Sequence, residues 1–282
     1  MGVYLRPATI EEALFRLHTG HFVIVAGCTD YYCRTKLPFD EPVLDITGIA
    51  EARGISETEH DEFRLGALTT WTEIASADLP RQFDTLKEAA RQVGGVQIQN
   101  TGTIGGNLCN ASPAADSLPP LLALHARVEL RSARGVRILP LAEFIVGNRR
   151  TALRNDEMLT ALTVPKREGR HASRFLKLGA RAYQVISIAM VAVLLDIDEQ
   201  DRVQAAAVAV GACSEVARRL SGLEEAIFGV AIDGERLSNI VEARHLLPLR
   251  PLSDVRGTAA YRLDAARTLV GRALDDAQER LR

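Results

Sequence analysis

The stretch VGGVQIQNTGTIGGNLCNASPAADSLPPLLAL, residues 93–124, holds Gly94, Gly95, Gly102, Gly105 and Gly106, five of the chain's 21 glycines. Small polar residues, a proline, an aspartate and an apolar helix-like run follow the last of them. Glycine reaches backbone conformations closed to other residues and lets a ligand approach the main chain. Successive N–H groups in such a loop form a concavity suited to an anion such as a phosphate. A tight turn between two strands is the competing reading of any Gly-Gly pair. A second glycine turn favours the anion site, and Ala26-Gly27-Cys28-Thr29-Asp30-Tyr31 supplies one. It follows the apolar run Phe22-Val23-Ile24-Val25, which has the composition of a buried parallel strand. A glycine turn after such a strand and before a helix is where α/β folds place phosphates. Gly27 stands alone, so neither G-x-G-x-x-G nor the P-loop pattern is present.

The remaining composition narrows the function classes. At 282 residues, 47% hydrophobic and 25% charged, the chain can bury a sizeable core and is long enough for two domains. A net charge of -2 with no basic stripe argues against nucleic acid, and Arg149-Arg150 and Arg218-Arg219 read as solvated faces. Met1-Gly2 runs directly into VYLRP without a leader pattern, and the longest apolar runs fall short of a membrane span, so a cytoplasmic location is expected. Cys28, Cys33, Cys109 and Cys213 are too few and scattered for a disulfide framework. Cys28 and Cys33 match the first step of an iron–sulfur spacing, but the next ligand would fall on Lys36. His18 and His21 lack a partner cluster, and no metal site is expected.

Along the chain, Thr9 and Glu12 form a capping box for a helix with Ala13, Leu14 and Leu17 on its apolar stripe. With strands near residues 3–5, 22–25 and 42–46, the first fifty residues read as a small βαβ unit. Short strands around Ile55 and Phe63 follow, then a capped helix from Thr70 and a helix over 83–93. Residues 127–131 and 136–139 alternate around Ser132-Ala133-Arg134-Gly135, a hairpin signature. Polar Arg167-Glu168-Gly169-Arg170-His171 marks a domain boundary, giving 1–170, subdivided at about residue 52, and 171–282. Beyond it come a strand at 175–178, a long apolar segment at 186–197, a strand at 203–210 and three helices, the last repeating Tyr261, Ala265, Leu269 and Ala273 at i, i+4.

Three groups of residues then resemble one family, the flavoprotein (medium) subunits of molybdenum hydroxylases such as bacterial xanthine and carbon monoxide dehydrogenases. They are the central pieces at 94–100, 103–107 and 111–116, the turn Ala26-Gly27-Cys28-Thr29-Asp30, and Pro251-Leu252-Ser253-Asp254-Val255-Arg256-Gly257 with Tyr261-Arg262. The resemblance covers essentially the full length. It implies an α+β fold: a two-subdomain FAD-binding domain of the vanillyl-alcohol-oxidase type plus a smaller C-terminal α+β domain with an antiparallel sheet and helices.

By the same resemblance, Ala26, Gly27, Cys28, Thr29, Asp30 and Tyr31 form one jaw on the FAD diphosphate, and Thr103, Ile104, Gly105, Gly106 and Asn107 the other. Asp116 lies beside the adenosine part, an N-cap being its alternative. Lys177 lies near the flavin, where a positive charge would stabilise the reduced anion, or else on the solvated surface. Leu159 packs against the ring system or in the core. The family's glycine pair is broken by Cys28, whose side chain calls for an ordinary backbone conformation. Tyr31, Tyr32 and Tyr183 are alternative stacking partners for the ring.

The function implied is a FAD-carrying electron-transfer subunit. An iron–sulfur small subunit with [2Fe-2S] clusters and a molybdopterin large subunit are its partners, in a dimer of heterotrimers. No acid–base or nucleophilic constellation stands out, so no catalytic residue is expected in this chain. A stand-alone FAD-dependent oxidoreductase and a non-catalytic nucleotide-binding or assembly module are the alternatives.

Overall fold

The computed structural model describes residues 3–34 and 41–282, so Lys36 and the Met1-Gly2 start lie outside the described residues. The fold is α+β and forms two compact units interleaved in sequence. One comprises the chain up to Ile74, Val96–Ala111 and Ala126–Lys166; the other comprises Ala75–Gly95, Ser112–His125 and Arg167–Arg282.

The first unit opens with a three-stranded parallel sheet in the order Tyr4–Leu5, Val43–Asp45, Val23–Val25. Helix Ile10–Thr19 is the crossover, and the Thr9 hydroxyl accepts from the Glu12 amide at its start. Ile10, Ala13 and Leu17 recur at helical spacing and are buried with Leu44, Ile46 and Ile49. A five-stranded antiparallel sheet follows, in the order Ile55–Glu57, Glu62–Gly66, Met158–Pro165, Arg127–Ser132, Gly135–Pro140. The expected hairpin around residues 132–135 is its last pair.

A bulge in Met158–Pro165 is linked to the second glycine turn through Ala67. The register shifts between Leu159 and Ala161, which leaves Thr160 outside the pairing with the Arg127–Ser132 strand. The Thr160 carbonyl accepts from the Ala67 amide at 2.9 Å, and the Ala67 carbonyl accepts from Gly105 at 2.8 Å.

The second unit is built on an antiparallel sheet in the order Arg170–Leu178, Ala189–Ile197, Val203–Gly211, Arg218–Arg219. All nine residues of Ala189–Ile197 are buried. A strand apolar at every position but Asp196, which pairs with Arg167, needs cover on both faces. Val191, Val193 and Leu195 pack in one cluster with Ala266, Val270 and Leu274 of the long helix Ala259–Leu281. Helices Asp84–Ala90 and Leu118–Ala123, from earlier in the chain, also pack on this sheet. Thr85 donates its amide to the Ser173 hydroxyl at 3.0 Å, and Glu88 accepts from the Phe175 amide at 2.7 Å.

Two sequence expectations need correction here. Tyr261 is 47% exposed, and the buried stripe of the last helix begins at Arg262 and Ala265. Arg262 donates to the carbonyls of Ile188 and Ala212 and to Asp254, so it ties the 251–257 loop to the ends of two strands. Arg219 is not a solvated side chain: it pairs with Glu224 and donates to the Leu122 and Ala206 carbonyls. Among the described residues no helix is long and apolar enough to cross a membrane.

Candidate functional site

The two glycine turns meet within the first unit. A Cβ on Gly27 would lie 1.9 Å from the Thr101 carbonyl oxygen and 2.9 Å from the Gly102 Cα. Only glycine permits this contact, because backbone touches backbone. Gly102 is in turn held by its own amide, which donates to the Ile98 carbonyl at 2.7 Å, and by Trp71, whose amide donates to the Gly102 carbonyl. The Trp71 ring lies 3.3 Å from where a Gly102 Cβ would be.

The second turn starts helix Ile104–Asn110, with Thr103 as N-cap accepting from the Gly106 amide at 3.1 Å. Its amides are committed within the protein. Ile104 donates to the Thr69 carbonyl, Gly105 to Ala67 and Asn107 to Thr103. Gly105 is buried, and a Cβ there would sit 2.6 Å from the Ala67 Cβ. Gly105 is therefore a packing glycine. Gly106 is exposed, and a Cβ on it would crowd only the Thr103 hydroxyl.

The first turn has the opposite character. Among the described residues, the amides of Gly27, Cys28, Thr29 and Asp30 meet no acceptor. They precede the short helix Tyr31–Arg34. Cys28 has φ of 56°, in the left-handed region, which overturns the ordinary conformation expected from its side chain. The thiol donates to the Ala26 carbonyl at 3.2 Å and also meets the Tyr32 hydroxyl. Those contacts offset a conformation that costs an L-residue about 1–2 kcal/mol. Burial pushes the Cys28 thiol up, against the Tyr32 hydrogen bond, so it stays a protonated donor and not a nucleophile. Cys28→Gly is expected to change stability by no more than about 1 kcal/mol, because relief of the strain is set against the lost thiol contacts and glycine's greater unfolded-state freedom. Thermal unfolding of the apoprotein measures this, and a lowered midpoint would mean the thiol contacts outweigh the strain.

Together the turns offer free first-turn amides, an open face at Gly106 and a Thr103 hydroxyl. That donor set fits a diphosphate without any lysine. The Asp30 carboxylate accepts from the Asn110 side chain, and Asn110 accepts from Arg149, so Arg149 is engaged at this site and is not simply a solvated charge. Tyr31 is half-buried and packs edge-on against exposed Tyr32 with centroids 5.4 Å apart. Leu159 is 4% exposed, so its side chain belongs to the core.

Asp116 and Lys177 lie in the second unit and form a buried ion pair at 2.6 Å. Asp116 also accepts from Ser187 at 2.7 Å, and Lys177 donates to the Gln92 carbonyl at 3.2 Å. Burial pushes the Asp116 carboxyl up while Lys177 and Ser187 pull it down. The pair leaves no uncompensated charge on Lys177, and Asp116 does not cap the helix after it, whose N-cap is Ser117. Tyr183, in the same unit, is 78% exposed. Thr101, Ala67, Asn110, Arg149, Ser187 and Gln92 carry no signature that would have marked them in the sequence.

The family described as FAD binding domain in molybdopterin dehydrogenase matches residues 1–167, and the CO dehydrogenase flavoprotein C-terminal domain matches residues 174–277. The nicotinate dehydrogenase FAD-subunit of Eubacterium barkeri is 32% identical, over 86% of this chain and 84% of that protein. The carbon monoxide dehydrogenase medium chain of Afipia carboxidovorans is 30% identical, over 98% and 96%. Among solved structures, a chain of carbon monoxide dehydrogenase from Hydrogenophaga pseudoflava superimposes with a TM-score of 0.90 at 27% identity, covering 100% of this chain and 98% of that one. The N-terminal match alone spans more than half of the 282 residues, and the chain belongs to the FAD-binding domain family of the molybdopterin dehydrogenases.

Proposed function

We propose that this chain is the FAD-carrying electron-transfer subunit of a multi-subunit molybdenum hydroxylase. Its electrons would come from the iron–sulfur clusters of a small partner subunit, a molybdopterin large subunit would carry the substrate chemistry, and an external acceptor would reoxidise it. The contact of Gly27 with Thr101 and Gly102, which brings the first turn against the residues just before the second, is the observation that carries the reading. FAD, when bound, accepts electrons singly and releases them singly or in pairs. The protein's share is to bind and orient. The amides of residues 27–30 hold the diphosphate, Thr103 adds a hydroxyl, and Gly105 fixes the turn from behind. None of these groups moves a proton.

The assembly is proposed to be a cytoplasmic dimer of heterotrimers, with the chain's domains dividing near residue 170. Asp116, Lys177 and Leu159 remain proposed cofactor contacts, the last through its backbone. The relatives' printed names, FAD-subunit and medium chain, support the same role.

The purified chain is expected to take up FAD and to stay oxidised when mixed with small organic substrates alone. Flavin bleaching should require the two partner subunits, followed by visible absorbance. Direct bleaching without partners would replace this reading with a stand-alone oxidoreductase. A chain that takes up no FAD would favour the assembly module.

A further inference from the structure

Asn110 ends helix Ile104–Asn110 and joins two charged groups of opposite sign. Its amide nitrogen donates to the Asp30 carboxylate of the first turn, and its carbonyl accepts from the Arg149 guanidinium. The charges dictate that orientation, because a carboxylate accepts only and a guanidinium donates only. Arg149 has no carboxylate at ion-pair distance among the described residues. Its own amide donates to the Ala111 carbonyl at 2.8 Å.

The backbone around this network takes left-handed conformations, Ala111 as the C-cap of helix Ile104–Asn110. Arg149 has φ of 55° and Ala111 has φ of 46°, and Cys28, two residues before Asp30, has φ of 56°. Three non-glycine residues thus hold left-handed conformations around one hydrogen-bonded chain. Asp30 and Arg149 are exposed and Asn110 is half-buried, and exposed polar contacts of this kind add little to stability.

An aspartate beside an anion site is also repulsive unless its charge is held and balanced. Asn110 does the holding and Arg149 the balancing. We propose that Asn110 and Arg149 are positioning residues for the diphosphate: they fix the first turn against the second and supply the compensating positive charge at the clamp. This rests on the FAD reading above and deepens it.

The test is FAD titration of the full-length chain, followed by quenching of flavin fluorescence at low and high salt. Asn110→Asp sets two carboxylates against each other and is expected to weaken FAD binding by about tenfold or more. Asp30→Asn combined with Asn110→Asp restores both hydrogen bonds with the charges exchanged, and is expected to recover most of the affinity. Arg149→Gln is expected to weaken binding and to flatten its salt dependence, because a cation–anion attraction is screened by salt. A role confined to folding would not change that slope. Unaltered affinity in Asn110→Asp, a double variant no better than the single one, or an unchanged salt slope in Arg149→Gln would each overturn the proposal. Failure of the wild-type chain to bind FAD would instead overturn the cofactor reading.

Discussion

Gly27→Val is expected to abolish FAD retention while leaving most of the fold in place. The added Cβ would sit 1.9 Å from the Thr101 carbonyl oxygen and 2.7 Å from its carbon, and neither is the mobile end of a side chain. The first turn must therefore move away from the second. Gly27 is only half-buried, and the strand before it is held independently by Val43–Asp45, so the displacement can be absorbed locally. Overpacking of this type costs about 1–3 kcal/mol of stability. Separating the donors costs the diphosphate several charge-assisted hydrogen bonds at once, so affinity should fall by at least about 100-fold, or ~3 kcal/mol. Titration with FAD and apoprotein melting read the two effects separately. Gly106→Ala is the control, because its Cβ crowds only the Thr103 hydroxyl at 2.9 Å and should disturb the ligand more than the fold. Gly105→Ala should do both kinds of damage, since Ala67 occupies the space behind it. Unchanged FAD affinity in Gly27→Val would refute the clamp.

The turns were legible because glycine announces a local need: a conformation or an approach that no other residue permits. What backs each glycine was not. Thr101 meets Gly27 through its main chain, and a main-chain contact leaves no preference in residue type. Gly105 is assigned to the phosphate cradle by resemblance, whereas its amide and its missing side chain both serve Ala67. Cys28 shows the converse. A thiol can hold a left-handed turn by bonding to the carbonyl two residues back, so the absence of glycine did not mean the absence of the glycine conformation.

The second unit shows a different limit. The apolar segment at 186–197 was legible in the sequence, but which helices would cover it was not. Helices Asp84–Ala90 and Leu118–Ala123 lie on the N-terminal side of the boundary expected at about residue 170, yet they pack on the C-terminal sheet. The choice is made by side chains distant in sequence, such as Thr85 with Ser173 and Glu88 with Arg174. Lys177 and Asp116 are 61 residues apart, and nothing local in either segment shows that each is the other's counter-ion.

That pair supports the second large prediction. Lys177→Met should destabilise the second unit by about 3–5 kcal/mol, because it strands a buried carboxylate whose remaining partner is a single hydroxyl. Both side chains are less than a tenth exposed, at 5% for Lys177 and 9% for Asp116, so water cannot replace the lost ammonium. At roughly 2–4 °C per kcal/mol for a chain of this size, the melting midpoint should fall by about 10 °C. The triple variant Asp116→Leu, Lys177→Met, Ser187→Ala removes both charges and the hydroxyl that would otherwise be buried without a partner. A buried ion pair replaced by apolar groups of similar volume is about neutral, so the midpoint should return to within a few degrees of wild type. A triple variant as unstable as Lys177→Met would show that the site cannot repack, and the ion-pair account would fail. FAD titration of the stable triple variant then separates structure from function. Retained affinity would leave the pair a purely internal brace, and lost affinity at a restored midpoint would show that its charge or its hydrogen bonds act on the cofactor.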